Sequence, residues 1–172
     1  MGPKNVALAA EVADGWMPFF YAPEHAAVFD PSLDDGFARR GDRPDVFDVA
    51  PIVPVAIGPD LDACRDEIRP LLPLYVGAYG PKGGNYYHDL VARFGFEEAA
   101  DAIQDAYLDG RRTDAEAAVP DEMIDAVALV GPEERVSDRM AVYADAGVTT
   151  LLAKTRDAAT IEALAKAAEQ MS

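Results

Sequence analysis

The sequence predicts an α/β protein, a parallel sheet covered by helices, and three observations carry that reading. Apolar, β-branched runs alternate with segments of helical period along the chain, the order that yields parallel strands joined by crossover helices. The chain also opens on a Gly-Pro turn, Gly2-Pro3-Lys4-Asn5, and an Ala-rich helical stretch to Ala13 that runs straight into Gly15-Trp16-Met17-Pro18-Phe19-Phe20. That opening is the second half of a strand–helix unit, and the strand that should precede it is not among these residues. Finally, Gly-Pro pairs at 2–3, 58–59, 80–81 and 131–132 punctuate the chain, three of them where an extended stretch hands over to a helix. No fixed repeat underlies them, so they mark turns rather than solenoid units.

In order, Pro3 fits the first turn of a helix, where its missing N–H would have had no partner. Gly15 to Phe20 reads as a short buried strand. A helix begins at Pro23-Glu24-His25, and a second short one is expected over 33–40 before Gly41-Asp42-Arg43-Pro44 breaks it. Val46 to Ile57 is strongly β-like, with Pro51 and Pro54 placing it at an edge or kinking it. Leu61 to about Val76 has helical period, bent or split by Pro70 and Pro73. Residues 77–125 fit a strand–helix repeat poorly and are expected to form a helical insertion, with helices at 86–94, 97–109 and near 113–125. Ala126 to Val130 is a short strand candidate, Pro132 to Ala146 an amphipathic helix capped by Gly147, Val148 to Ala153 a buried β run and Ala158 to Ala168 the closing helix.

At 172 residues, half of them hydrophobic, the chain suits one domain with a real core. Four strand candidates are too few for a closed eight-stranded barrel, which needs roughly 250 residues. The choice is between a small open sheet and half of something larger. No apolar run approaches membrane-helix length, and no signal peptide precedes the globular pattern, so the expected location is the cytoplasm. The net charge of −16 argues against a nucleic-acid partner, whose phosphates it would repel. Cys64 is the single cysteine; it excludes an internal disulfide and reads as a small apolar core residue.

Candidate chemistry is sparse. At Gly2-Pro3-Lys4-Asn5 the N–H groups of Lys4 and Asn5 are expected to point out of a helix N-terminus, an end that attracts anions. Lys4 adds a charge and Asn5 an amide, so this is either a phosphate site or a plain cap. His25 stands just past a strand's carboxyl end, where it lines a pocket or is an ordinary first-turn residue. His88, beside Tyr86 and Tyr87, reads as a loop-packing residue. Gly80 to Asn85 lacks the Lys-Ser/Thr of a P-loop and is expected to be a mobile lid or a connection. Trp16 reads as core. Glu133-Glu134 satisfy their helix dipole internally, and the pairs Asp34-Asp35, Glu97-Glu98 and Asp121-Glu122 read as solvated faces. There is no nucleophile–base constellation and no histidine pair for a metal.

Gly2-Pro3-Lys4-Asn5 followed by Ala9-Ala10-Glu11-Val12-Ala13-Asp14-Gly15-Trp16-Met17-Pro18 resembles the middle of the luciferase-like monooxygenase superfamily. The closest flavour is its deazaflavin-dependent oxidoreductases, those similar to methylenetetrahydromethanopterin reductase. Leu129-Val130-Gly131-Pro132-Glu133-Glu134-Arg135-Val136, through Tyr143-Ala144-Asp145-Ala146-Gly147-Val148 to Leu151-Leu152, is similar to that family's C-terminal strand–helix–strand. The two blocks span nearly the whole chain in the right order.

The resemblance implies the C-terminal half of a TIM (β/α)8 barrel with a helical insertion at about 77–125. Residues 16–20, 46–57 and 148–153 would be its sixth, seventh and eighth strands. It further implies that Gly2, Pro3, Lys4 and Asn5 bind the phosphate of coenzyme F420, with FMN as the alternative cofactor. The implied reaction is hydride transfer between reduced deazaflavin and a small-molecule organic substrate, or an FMN-dependent monooxygenation. Strands one to five and most ring-binding positions of the family lie outside the match. The expected partner is therefore a second copy or a separate N-terminal half, and a competing expectation is a non-catalytic, truncated remnant or interaction module. A third is a small phosphate-ligand binder that uses only the helix end.

Overall fold

The computed structural model describes residues 2–41, 44–155 and 157–171. Helix α1 (Pro3–Val12) leads into strand β1 (Gly15–Trp16), and a 3-10 segment (Pro23–Phe29) leads into α2 (Asp30–Arg40). Strands β2 (Asp48–Val49) and β3 (Ile52–Ile57) follow, then α3 (Leu61–Ile68), α4 (Leu71–Ala78), α5 (Tyr86–Val91), a π segment (Ala92–Phe96), α6 (Glu97–Leu108), α7 (Arg112–Ala117) and α8 (Asp121–Val127). The chain closes with β4 (Leu129–Gly131), α9 (Glu133–Asp145), β5 (Leu152–Lys154) and α10 (Ala158–Met171).

All strand pairings are parallel, as the alternation of strand and helix requires. Gly15 and Trp16 pair with Asp48 and Val49, and a bridge from Phe19 to Ile52 continues that edge. On the other side Ile52 to Pro54 pair with Leu152 to Lys154, and the Thr149 N–H reaches the Val49 carbonyl at 3.1 Å. Residues 15–19, 48–57 and 149–154 therefore run abreast, and β4 extends the first edge beside Val55 to Ile57.

The expected strand over 46–57 is two strands, because Pro51 interrupts the ladder between them. Pro54 sits inside the central strand rather than at an edge. The Ile52 N–H donates to the Pro18 carbonyl, so the missing N–H of Pro54 falls on the same edge, between the Phe19 bridge and β4. The helix expected over 61–76 splits at Arg69-Pro70. The strand expected over 126–130 begins only at Leu129; Ala126 and Val127 finish α8. Short apolar runs carry no period that separates a buried helix end from a strand. Gly147, at φ +84°, follows the end of α9 as expected. The break at Asp42-Arg43 lies outside the described residues.

Val53 and Val55 of β3 are buried under the helices together with Leu72, Val76, Leu90, Ile103, Met123 and Ile124. Helices α1 and α2 touch more intimately than an ordinary pair. A Cβ added to Gly36 would lie 2.1 Å from the Ala7 carbonyl oxygen, so only glycine permits that crossing. Among the described residues no helix is long and apolar enough to cross a membrane.

Candidate functional site

A helix that precedes a parallel strand runs antiparallel to it, so the start of α1 stands at the carboxyl ends of the strands. That is the end of a parallel α/β sheet where ligands bind. Gly2 caps α1 in extended conformation with Pro3 at the first helical position. Pro3, Lys4 and Asn5 are exposed, and Lys4 has no ion-pair partner among the described residues. The Asn5 N–H, expected to be free, turns inward to the Gly2 carbonyl at 2.9 Å, and the Val6 N–H shares it at 3.1 Å. The outward-facing chemistry at this end is thus mainly the Lys4 ammonium and the Asn5 amide.

Tyr86 adjoins Gly2; a Cβ there would lie 3.9 Å from Tyr86 Cδ2. From Tyr86 a row of rings leads to the sheet. Tyr86 and Tyr87 lie 5.3 Å apart, Tyr87 meets Tyr75, Tyr79 and Phe20 at 5.1 to 5.5 Å, and Phe19 meets Tyr75 at 4.6 Å. Tyr75 comes from α4 and Tyr79 directly follows it, Tyr86 and Tyr87 come from α5, and both phenylalanines from the end of the β1 edge. Burial pushes the Tyr86 phenol up to about 12 and raises those of Tyr75 and Tyr87, so all three stay protonated at neutral pH. Lys154, at the end of β5, holds its Nζ 5.6 Å above the Phe19 ring. Phe20 has φ +58°, a left-handed conformation that is costly for an aromatic residue.

Two features missed from sequence shape this region. Asn85 is not part of a mobile lid. It is buried, its Oδ1 accepts from the Tyr87 N–H at 2.9 Å, and its Nδ2 donates to the Tyr75 and Val76 carbonyls at 3.0 and 2.7 Å. The available signal was an Asn directly ahead of a helical stretch, the ordinary mark of an N-cap. Asp121 is partly solvated, as expected, but it is also ion-paired. It pairs with Arg69 at 2.6 Å and Arg65 at 3.4 Å, which hold its carboxyl below the usual carboxylate range, and Arg65 also grips Asp125. This network fastens α8 to α3.

The remaining candidates lie apart from the rings. His25 stacks on Phe94 at 5.4 Å and lines a cleft of about 470 Å³ with Glu24, Asp125, Arg135, Asp138 and Arg139. His88 sits between Asp101 and Asp89, at 2.9 and 3.2 Å, which ties α5 to α6. Cys64 is buried, and Trp16 packs edge-on against Phe29 at 4.9 Å. Among the described residues no group of His, Cys, Asp and Glu could hold a metal ion.

Comparison with known proteins finds relatives along nearly the whole chain. The chain is 38% identical over 166 residues to a protein of Mycobacterium tuberculosis assigned as a coenzyme F420-dependent oxidoreductase, covering 95% of this chain and 48% of that protein. It is 29% identical over 157 residues to 5,10-methylenetetrahydromethanopterin reductase of Archaeoglobus fulgidus, covering 88% and 45%. The coenzyme F420-dependent tetrahydromethanopterin reductase of Methanopyrus kandleri shares the fold with a TM-score of 0.72 at 24% identity, over 95% of this chain and 46% of that one. An F420-dependent secondary alcohol dehydrogenase, solved with an F420–acetone adduct, aligns with a TM-score of 0.59 at 19% identity, over 89% and 40%. The chain thus spans about half the length of the curated relatives it matches. The model of the luciferase-like monooxygenases matches residues 1–150, from the Gly-Pro turn of α1 to the start of the last β run, and the chain belongs to that family.

Proposed function

We propose that these residues form the C-terminal part of an F420-dependent oxidoreductase that moves a hydride between the deazaflavin and an organic substrate. In this reading the chain is active only when further strands complete its barrel. The single observation that carries it is the position of the α1 N-terminus. Lys4 and Asn5 stand exposed at the carboxyl end of the sheet, one residue pair away from a row of aromatic rings. Likeness to F420-dependent relatives over nearly the whole chain supports the choice of cofactor.

The residues present fit the phosphate-bearing part of such a cofactor. Gly2 carries no side chain to block approach, Lys4 supplies a charge that has no carboxylate partner among the described residues, and the helix dipole adds to it. When bound, the cofactor would supply hydride chemistry. The chain itself would hold the phosphate end through Gly2, Pro3, Lys4 and Asn5, beside the rings at the sheet's carboxyl end.

The test is a titration of oxidised coenzyme F420, read by its own fluorescence, against this chain alone and with the N-terminal half of the Mycobacterium relative added. Binding is expected in the second case, with Lys4→Glu weakening it about tenfold or more, as loss and reversal of a phosphate contact should. No binding in either case would sink the proposal. A second reading, an interaction module that docks through its sheet, is favoured by the exposed Met17 and Leu152. It expects complex formation without any cofactor affinity.

A further inference from the structure

We propose that the aromatic row and Lys154 form the substrate-selecting end of this site, built for a planar ring that carries a negative charge. The inference rests on the preceding reading for where substrate arrives, and on the following geometry for what it is. The register sets Phe19, Ile52 and Leu152 abreast, so their side chains share one face of the sheet. Lys154, two residues beyond Leu152, lies on the same face with its Nζ above Phe19. Tyr75, Tyr79 and Tyr87 stand over the end of that face, with Tyr79 stacked on Tyr75 at 4.6 Å and 13° between planes.

A cluster made only to fill a core would be closed to solvent. Here Tyr79 is 56% exposed, and Phe19, Tyr75 and Tyr87 are each partly open. Flat open rings at one end of a sheet offer stacking area to another flat ring and little to a branched aliphatic group. The left-handed backbone of Phe20 turns the chain so that consecutive rings, Phe19 and Phe20, both enter the cluster. Such backbone persists where its surroundings enforce it, and it gathers at sites of function.

Charge completes the assignment. The chain carries 31 Asp and Glu against 15 Lys and Arg, and most of its arginines are paired with carboxylates. Among the described residues Lys154 has no carboxylate partner; it faces a ring. An unpaired ammonium beside a low-dielectric aromatic surface selects an anionic group on the ligand. Tyr86 joins this row to Gly2, so the substrate end and the cofactor end of the site are contiguous.

The test uses 4-hydroxybenzoate as the probe on this chain, followed by NMR chemical shifts, with cyclohexanecarboxylate and benzyl alcohol as the non-planar and uncharged controls. The expected result is 4-hydroxybenzoate binding at least about fivefold tighter than either control, the low end of what one stacked ring contributes. Tyr79→Ala should weaken it about fivefold or more, and Lys154→Gln should bring it down to the level of benzyl alcohol. Both side chains are exposed, so urea midpoints of the variants should match the parent. Absence of binding, equal binding of the three probes, or indifference to both substitutions would overturn the proposal. Neither substitution alters the helix end. A lost probe site with retained F420 affinity therefore rejects only the substrate assignment, and the reverse rejects only the cofactor assignment.

Discussion

Asn85 shows how one side chain can set a site without touching a ligand. Its carboxamide caps α5 and ties down carbonyls in the last turn of α4, and those two helices, with the cap residue Tyr79, carry the four tyrosines of the row. Asn85→Ala would strip a buried cap and take this partner from two carbonyls and from the Tyr87 and His88 N–H groups. The expected loss is about 2–3 kcal/mol, the sum of a missing cap and a buried unsatisfied group. Asn85→Asp keeps the acceptor but sets a buried carboxylate oxygen against the Tyr75 and Val76 carbonyls, so it should be no more stable than the alanine variant. Urea midpoints, with near-ultraviolet circular dichroism of the tyrosines, measure this; an alanine variant within about 0.5 kcal/mol of the parent, the range of ordinary surface changes, would reject the role. The sequence displays the Asn but not the carbonyls it meets, which come from residues nine and ten positions earlier. Phe20 is similar. Nothing in Phe19-Phe20-Tyr21 announces a positive φ, because the conformation is imposed by packing rather than chosen locally.

Elements were more legible than contacts. The order of helices and strands follows from period and from the Gly-Pro turns, and the splits at Pro51 and Arg69-Pro70 follow from proline chemistry. The ends of short apolar runs were not legible, since Ala126 and Val127 look alike in a strand and in a buried helix end. Ion pairs between elements were hidden too. Arg139 of α9 holds Glu24 of the 3-10 segment through a bidentate pair, its Nη2 2.9 Å from Oε2, and also donates to the Ala126 carbonyl of α8. The Arg139 hydrogen bond holds the Glu24 carboxyl below its usual range, against the opposing push of burial, and nearby His25 adds to the lowering. A carboxylate with a depressed folded pKa contributes stability above its unfolded value, about 4.3, and loses that contribution as pH falls through the folded value. Glu24→Gln should therefore be less stable than the parent at pH 7 and lose less stability between pH 5 and pH 3. Urea midpoints across that range provide the measurement, and parallel losses in parent and variant would show that the pair does not anchor these elements.

At the scale of the whole molecule, the sheet is unfinished on both sides. Among the described residues β1 pairs only with β2, and β5 only with β3. On the face they share, Met17 is 52% and Leu152 36% exposed, and Leu8 and Val12 of α1 are also open. Unpaired strand edges beside apolar surface invite pairing and are normally covered. A complementary set of strands from the family's N-terminal half would close both edges at once. It would also bring a further strand ahead of the α1 turn. The expectation is that the N-terminal half of the Mycobacterium relative forms a one-to-one complex with this chain in light scattering. Met17→Asp, which puts a charge on that face without disturbing the helices, should abolish that complex while leaving the urea midpoint of the isolated chain within about 0.5 kcal/mol, as for an exposed position. A chain that stays monomeric at high concentration and ignores the added half would mean that its open edges are tolerated rather than matched. The exposed rings and the Lys4 turn would then have to act on a sheet of this size alone.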